Sequence, residues 1–158
     1  MVTTIEHISN ALHDVRDPEI PGISVIDLGV ITKIDIKDEK ILIQMTPTFV
    51  GCPAIQVMKE DVQKCLSEFG EVIVTVNYDI PWDSNRITEE GLIALKKHGL
   101  APPPRYELAF ELDILENIAC PHCGSTKTTL QTPFGPTLCR SIHYCNSCNQ
   151  AFEQFKPL

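Results

Sequence analysis

The chain has 158 residues, 43% of them hydrophobic, and a formal net charge of −8. That length supports one ordinary domain and a small second one. The acidic balance argues against a nucleic-acid binder, which normally carries a basic footprint. No stretch approaches the ~18 apolar residues of a membrane span.

The opening M-V-T-T-I-E-H has neither a basic start nor an apolar run, so no signal peptide is expected and the expected compartment is the cytoplasm. Residues 3–15 have a helical period. Thr3 and Glu6 have capping-box spacing, and Ile5, Ile8, Leu12 and Val15 form the apolar stripe. The D-P-E-I-P-G stretch from Asp17 to Gly22 stops that helix, because each proline restricts itself and the residue before it. Ser24 to Gly29 leads into a strand. Ile34 and Ile36 alternate with charged residues, Asp38-Glu39 supplies a turn, and Ile41, Ile43 and Met45 resume the alternation, which predicts an antiparallel hairpin.

The stretch T-P-T-F-V-G-C-P-A, Thr46 to Ala54, joins this hairpin to a second helix. Ile55, Met58, Val62, Cys65, Leu66 and Phe69 share its apolar face, and Gly70 ends it. Pro53 suits the first helical position, which puts Cys52 at or beside the N-cap. There the helix dipole and unpaired N–H groups favour thiolate, the reactive and metal-binding form. Gly51 lets the backbone turn sharply ahead of it. The alternative is that Cys52 is a small buried residue, as lone cysteines often are. Cys65, on the apolar face, reads as core.

Val72, Val74, Val76 and Tyr78 predict a third strand, and the unit from Ile41 to Tyr78 suits a parallel pair with a right-handed crossover. The loop I-P-W-D-S-N-R-I follows. Thr88 caps a helix over 89–98, with Ile87 and Leu92 spaced as a hydrophobic staple, and Gly99 ends it. The A-P-P-P segment, Ala101 to Pro104, reads as an extended connection. Tyr106 to Leu115 alternates weakly, as a strand would. The expectation is an α+β chain. A two-layer helix/sheet domain in the order α-β-β-α-β-α covers residues 1–100. A proline-rich linker covers 101–113, and a small zinc ribbon covers 114–158.

The ribbon rests on two C-x-x-C knuckles, Cys120/Cys123 and Cys145/Cys148, separated by 21 residues that read as strand, turn, strand. Two residues between cysteines turn both sulfurs toward one ion, and such pairs in a reducing compartment point to metal rather than disulfides. Four protein ligands leave no open position, so a zinc ion here is structural; iron suits the same four sulfurs and is the rival. Cys139 reads as core. His143 has no vacancy to fill, and His122 should point away from the ion. The module has no large basic surface, so it reads as protein-docking rather than nucleic-acid-binding.

The motifs D-P-E-I-P (Asp17 to Pro21), S-V-I-D-L-G (Ser24 to Gly29), T-P-T-F-V-G-C-P-A and Pro81-Trp82 resemble bacterial iron–sulfur assembly factors. G-L-A-P-P (Gly99 to Pro103), F-G-P-T-L-C (Phe134 to Cys139), the knuckles and the closing F-E-Q-F-K resemble the D subunits of phenylacetyl-CoA epoxidase. The resemblance covers nearly the whole chain. It departs after Trp82, where Asp83-Ser84-Asn85-Arg86 stands instead of T-T-D-W. It implies a non-catalytic accessory subunit in phenylacetate degradation. Such a subunit helps load iron or an iron–sulfur cluster into the epoxidase through Cys52, with Asp17 and Glu19 nearby. Asp27, beside the predicted strand entry, is a further candidate from its position, the alternative being a turn residue that bonds local N–H groups. One thiolate cannot hold a cluster that normally takes four cysteines. A second chain or carboxylates would have to contribute. A docking subunit with no metal at Cys52 is the alternative. Implied partners are the other epoxidase subunits, and the cluster argument leaves room for a homodimer.

Overall fold

The computed structural model describes residues 2–105 and 116–157. The weak strand expected over 106–115, and with it most of the expected linker, lies outside the described residues. The element order of the first part is the expected one: α1 (Ile5–Leu12), β1 (Ile31–Lys37), β2 (Lys40–Met45), α2 (Ala54–Leu66), β3 (Glu71–Val76) and α3 (Glu89–Lys97).

Strand β2 is central. It pairs antiparallel with β1 and parallel with β3. Asp38 and Glu39 both take positive φ, 48° and 61°, as a two-residue hairpin turn with the twist of its strands requires. Along β2 the buried residues Ile41, Ile43 and Met45 alternate with half-buried ones, so one face is sealed. α1 and α2 pack on each other, and each also packs on a strand. Their buried residues are Ile8 and Leu12 on α1, and Ala54, Met58, Val62 and Leu66 on α2. A short 3₁₀ turn, Ser67–Phe69, extends α2 before Gly70.

Several local details differ from the sequence reading. The α1 N-cap is Thr4, whose hydroxyl accepts from the His7 N–H, so Thr3 and Glu6 form no capping box. Ile5 then falls on the solvent side, 51% exposed. Ser24 to Gly29 does lead into β1, and it does so as a run of turns, closed by the Leu28 N–H on the Ser24 carbonyl and the Gly29 N–H on the Ile26 carbonyl. Thr88 does cap α3, its hydroxyl accepting from the Gly91 N–H.

The described chain divides into two compact units, Met1–Trp82 with Arg86–Gly91, and Asp83–Asn85 with Leu92–Leu158. The second unit therefore begins before residue 100, the boundary expected from sequence. Its sheet has the order β4-β7-β6-β5, built from β4 (Leu100–Ala101), β5 (Thr128–Thr132), β6 (Arg140–Cys145) and β7 (Gln150–Phe155). Ala101 pairs with Gln154 in that sheet, so it is not a linker residue: its backbone finds partners there before the prolines begin. Strand β7, along the closing F-E-Q-F, adds a third long strand to the expected two. Cys120, Cys145, Ile118, Phe152 and Ala101 make the core cluster of this unit.

Candidate functional site

The second unit holds a four-cysteine centre. The sulfurs of Cys120, Cys123, Cys145 and Cys148 all lie within 4.8 Å of one another. Cys120 and Cys148 sulfurs are 3.7 Å apart, and those of Cys123 and Cys145 are 3.6 Å apart. A metal–sulfur bond of ~2.3 Å gives a tetrahedron edge of ~3.8 Å, so the donor set fits a single tetrahedral ion. The two knuckles are built alike. The Gly124 N–H donates to the Cys120 carbonyl at 2.8 Å, and the Asn149 N–H donates to the Cys145 carbonyl at 2.9 Å. Backbone N–H groups of Cys148 and Ser147 face the Cys145 sulfur and bring its pKa down to about 6, against the opposing effect of burial. Burial and the neighbouring thiols push Cys148 up to about 12. A divalent ion held by these four sulfurs would replace the protons that this crowded set shares.

The other candidates in this unit stay outside the ligand group. Cys139 is buried, with its sulfur 3.1 Å from the Thr137 hydroxyl. His143 is buried on β6, its Nε2 2.9 Å from the Ser141 hydroxyl and its ring stacked on Phe152 at 5.4 Å. Burial holds its pKa below the ordinary value. His122 is exposed on the first knuckle.

Cys52 belongs to the other unit. It lies in the loop leaving the C-terminal end of β2, just ahead of α2. Pro53 rather than Cys52 is the N-cap, in helical conformation, so no side chain caps this helix. The sequence placed proline one position too deep because its fixed φ suits both positions. Cys52 is a free, half-buried thiol whose N–H donates to the Phe49 carbonyl at 3.2 Å. Gly51 has φ 81°, a left-handed turn with open space around the Cα. At the root of the loop Thr46 is buried, and its hydroxyl has no hydrogen-bond partner among the described residues.

The carboxylates proposed to assist Cys52 have other partners. Asp17 is 7% exposed, and its Oδ1 accepts the N–H groups of Glu19 and Ile20, both at 2.8 Å. It shapes the D-P-E-I-P loop. Glu19 is exposed. Asp27 ties three segments together. Its Oδ2 accepts the Ser24 hydroxyl at 2.6 Å, its Oδ1 accepts the Thr88 hydroxyl at 2.8 Å, and His13 Nδ1 lies 3.5 Å away. Burial pushes the Asp27 pKa up, but the two hydroxyls and His13 outweigh it and the net shift is downward. Among the described residues, the four-cysteine set is the one group of three or more metal-binding side chains brought together. Cys52, Asp17, Glu19 and Asp27 do not form a second.

Sequence reasoning missed what fixes the Ser24–Gly29 turns. Trp82 is buried and its indole N–H donates to the Leu28 carbonyl at 2.9 Å. Arg86 donates from Nε to the Gly29 carbonyl at 2.8 Å. Gly29 has φ 77°, and a methyl group on it would stand 2.5 Å from the Arg86 carbonyl oxygen. The departure at Asp83-Ser84-Asn85-Arg86 therefore includes a residue that clamps this unit.

Comparison with known proteins finds similarity over both units. Residues 5–82 match the family described as iron-sulfur cluster assembly protein, and residues 110–156 match the PaaD zinc beta ribbon domain. The chain is 30% identical over 154 residues to the D-subunit protein of Escherichia coli named "Putative 1,2-phenylacetyl-CoA epoxidase", covering 96% of this chain and 92% of that one. It is 32% identical over 94 residues to an Fe-S protein maturation auxiliary factor of Bacillus subtilis, covering 57% of this chain and 91% of that one. Among solved structures, a domain of unknown function from Bacillus anthracis is 29% identical with a TM-score of 0.53, covering 57% of this chain and 89% of that one. A conserved hypothetical protein from Thermotoga maritima is 28% identical with a TM-score of 0.50, covering 62% and 96%.

Proposed function

Because the chain belongs to the family of 1,2-phenylacetyl-CoA epoxidase D subunits, we propose that it is a maturation subunit of such an epoxidase, delivering iron or an iron–sulfur cluster through Cys52. The reading assigns it no catalytic step. Its first unit matches iron–sulfur assembly proteins, and the similarity to Fe-S maturation auxiliary factors supports an assembly role. The observation that carries the reading is the contrast between the two thiol sites. The ribbon closes four sulfurs around one point. Cys52 offers a single free sulfur from a glycine-shaped loop.

A closed tetrahedron has no position for exchange, so the ribbon metal, which we assign as zinc, holds the module folded. Delivery needs the opposite arrangement. One sulfur–iron bond on Cys52 breaks as another forms on the client, with the client or a second chain completing the ligand set. The imidazoles with assigned partners point elsewhere, His13 to Ser24 and Asp27 and His143 to Ser141, which disfavours a thiol enzyme with a histidine base.

The test is Cys52→Ser in cells expressing the complete epoxidase. The variant should fold and dock normally, and the epoxidase purified anaerobically from those cells should be poor in iron or sulfide. A fully metallated, fully active epoxidase would end the delivery reading. The docking-subunit reading would then stand, favoured by the commitment of Asp17 and Asp27 to hydrogen bonds within the chain.

A further inference from the structure

The end of the ribbon far from the metal carries a feature that delivery through Cys52 does not use. Strands β5 and β6 are joined through P-F-G-P-T-L, where Phe134 is 62% exposed and Leu138 is 56% exposed. The metal end of β6 is Cys145 and the loop end is Arg140, roughly 17 Å apart along the strand. Exposed apolar side chains on floppy loops are common, but this loop is pinned. The Phe134 N–H donates to the Thr132 hydroxyl, which in turn donates to the Phe134 carbonyl at 3.1 Å. The Gly135 N–H donates to the Arg140 carbonyl at 2.8 Å. Pro133 and Pro136 restrict the backbone on either side.

Lys156, after β7, reaches back to this loop. Its ammonium donates to the Pro133 carbonyl at 3.1 Å and sits 4.9 Å from the centre of the Phe134 ring. Among the described residues it has no carboxylate partner, whereas Arg140 nearby is paired with Glu153 at 2.8 Å. Partial burial lowers the Lys156 pKa, and the nearby Cys139 sulfur only partly offsets it. A phenyl ring held rigidly in solvent loses little entropy on binding, and aromatic anchors of this kind carry most of the energy of protein interfaces.

We propose that Phe134, Leu138 and Lys156 form a docking surface for another protein subunit of the epoxidase, whose matching segment presents a carboxylate beside an apolar pocket. The ring fills the pocket and the carboxylate pairs with Lys156. This rests on the family assignment for the choice of partner, but not on Cys52. The two readings fail separately, because iron-free Cys52→Ser should bind as the iron-free wild-type chain does.

The test mixes the full-length chain with each separately purified epoxidase subunit and measures affinity by calorimetry, with light scattering for self-association. One subunit should bind. Phe134→Ala should weaken that binding about 30-fold, the equivalent of ~2 kcal/mol. Lys156→Glu should weaken it and abolish its loss with added salt. Both side chains reach solvent, and metal content and thermal unfolding should match wild type. Phe134→Ala or Lys156→Glu binding as tightly as wild type overturns the proposal. So does a wild-type chain that binds no subunit, or one that uses this tip to dimerise.

Discussion

Two glycines with nearly the same positive φ give a direct measure of what the Arg86 strap contributes. Gly29 has φ 77° and Gly51 has φ 81°. Alanine at either site incurs the left-handed penalty of ~1–2 kcal/mol and regains ~0.4–1 kcal/mol from the less flexible unfolded chain. Those contributions cancel when the two variants are compared. What remains is space. Alanine at Gly51 meets nothing within 4 Å, whereas at Gly29 its methyl would lie 2.5 Å from the Arg86 carbonyl oxygen and 2.6 Å from the Arg86 Cβ. Backbone must move to relieve that contact. The movement strains the Arg86 bonds to the Gly29 and Ile31 carbonyls, 2.8 and 3.3 Å long. A hydrogen bond from a charged donor is worth ~1.5–3 kcal/mol, which sets the expected difference between the variants. Trp82 is the chain's one tryptophan, and its indole binds the carbonyl of Leu28, next to Gly29. Its fluorescence therefore reports unfolding of this unit. In urea the midpoint of Gly29→Ala should fall about 1 M below that of Gly51→Ala, for a slope near ~2 kcal/mol per molar. Equal midpoints would refute the claim that the strap bears on Gly29.

Other expectations follow from single contacts. Aerobically purified protein should contain about one zinc per chain by metal analysis, and stoichiometric iron at the ribbon would refute the assignment. Cys120→Ser should lose that metal and the ordered ribbon while Trp82 still unfolds cooperatively; loss of both units together would mean that they fold as one. Asp27→Asn should flatten the acid limb of stability. The folded pKa of Asp27 lies below the unfolded value, so its contribution is present above about pH 4 and is lost as pH falls through the folded value. Matched pH profiles of wild type and variant, read by Trp82 fluorescence, would count against this. Trp82→Phe should cost ~1–3 kcal/mol by leaving the buried Leu28 carbonyl short of its donor.

The period of the apolar residues made the first unit legible. The alternation of Ile41, Ile43 and Met45 and the three- and four-residue spacing of Met58, Val62 and Leu66 are direct records of a sealed sheet face and a buried helix stripe. The four ribbon cysteines were legible because their spacing is itself the geometry of the knuckle. Long-range polar contacts left no such trace. Asp27 reads locally as a turn residue, yet one of its two hydroxyl partners is Thr88, beyond β1, β2, α2 and β3 in the chain. Arg86 reads as a loop cation, yet it binds the carbonyls of Gly29 and Ile31. Boundaries were misjudged where one residue type suits adjacent positions, as at Pro53 and at the Thr3-Thr4 pair. Ala101 reads as linker because prolines follow it, but Pro102 biases the residue before it toward extended backbone, which suits the pairing of Ala101 with Gln154.

The engagement of Asp17 and Asp27 changes what a cargo site at Cys52 can be. Among the described residues Asp17, Glu19 and Asp27 form no metal-binding group of three with Cys52, so a carboxylate that completes a site there would have to move, and moving would cost the hydrogen bonds that hold Asp17 or Asp27 in place, each worth ~1.5–3 kcal/mol. For Asp17 the loss would also free the Glu19 and Ile20 N–H groups that shape its loop. Cys52 is under no such constraint, since its thiol is free and its loop is already turned by Gly51. Of the candidates raised by the sequence, the thiol is therefore the ligand that this chain can offer with least disruption. The remaining ligands of a bound iron centre would then come from another molecule. Such a centre forms only while that molecule is present, and this couples loading of Cys52 to docking of the partner. Iron retained at Cys52 by the isolated chain, through desalting and without a thiol co-ligand, would contradict this coupling, because it would require the internal carboxylates to rearrange after all.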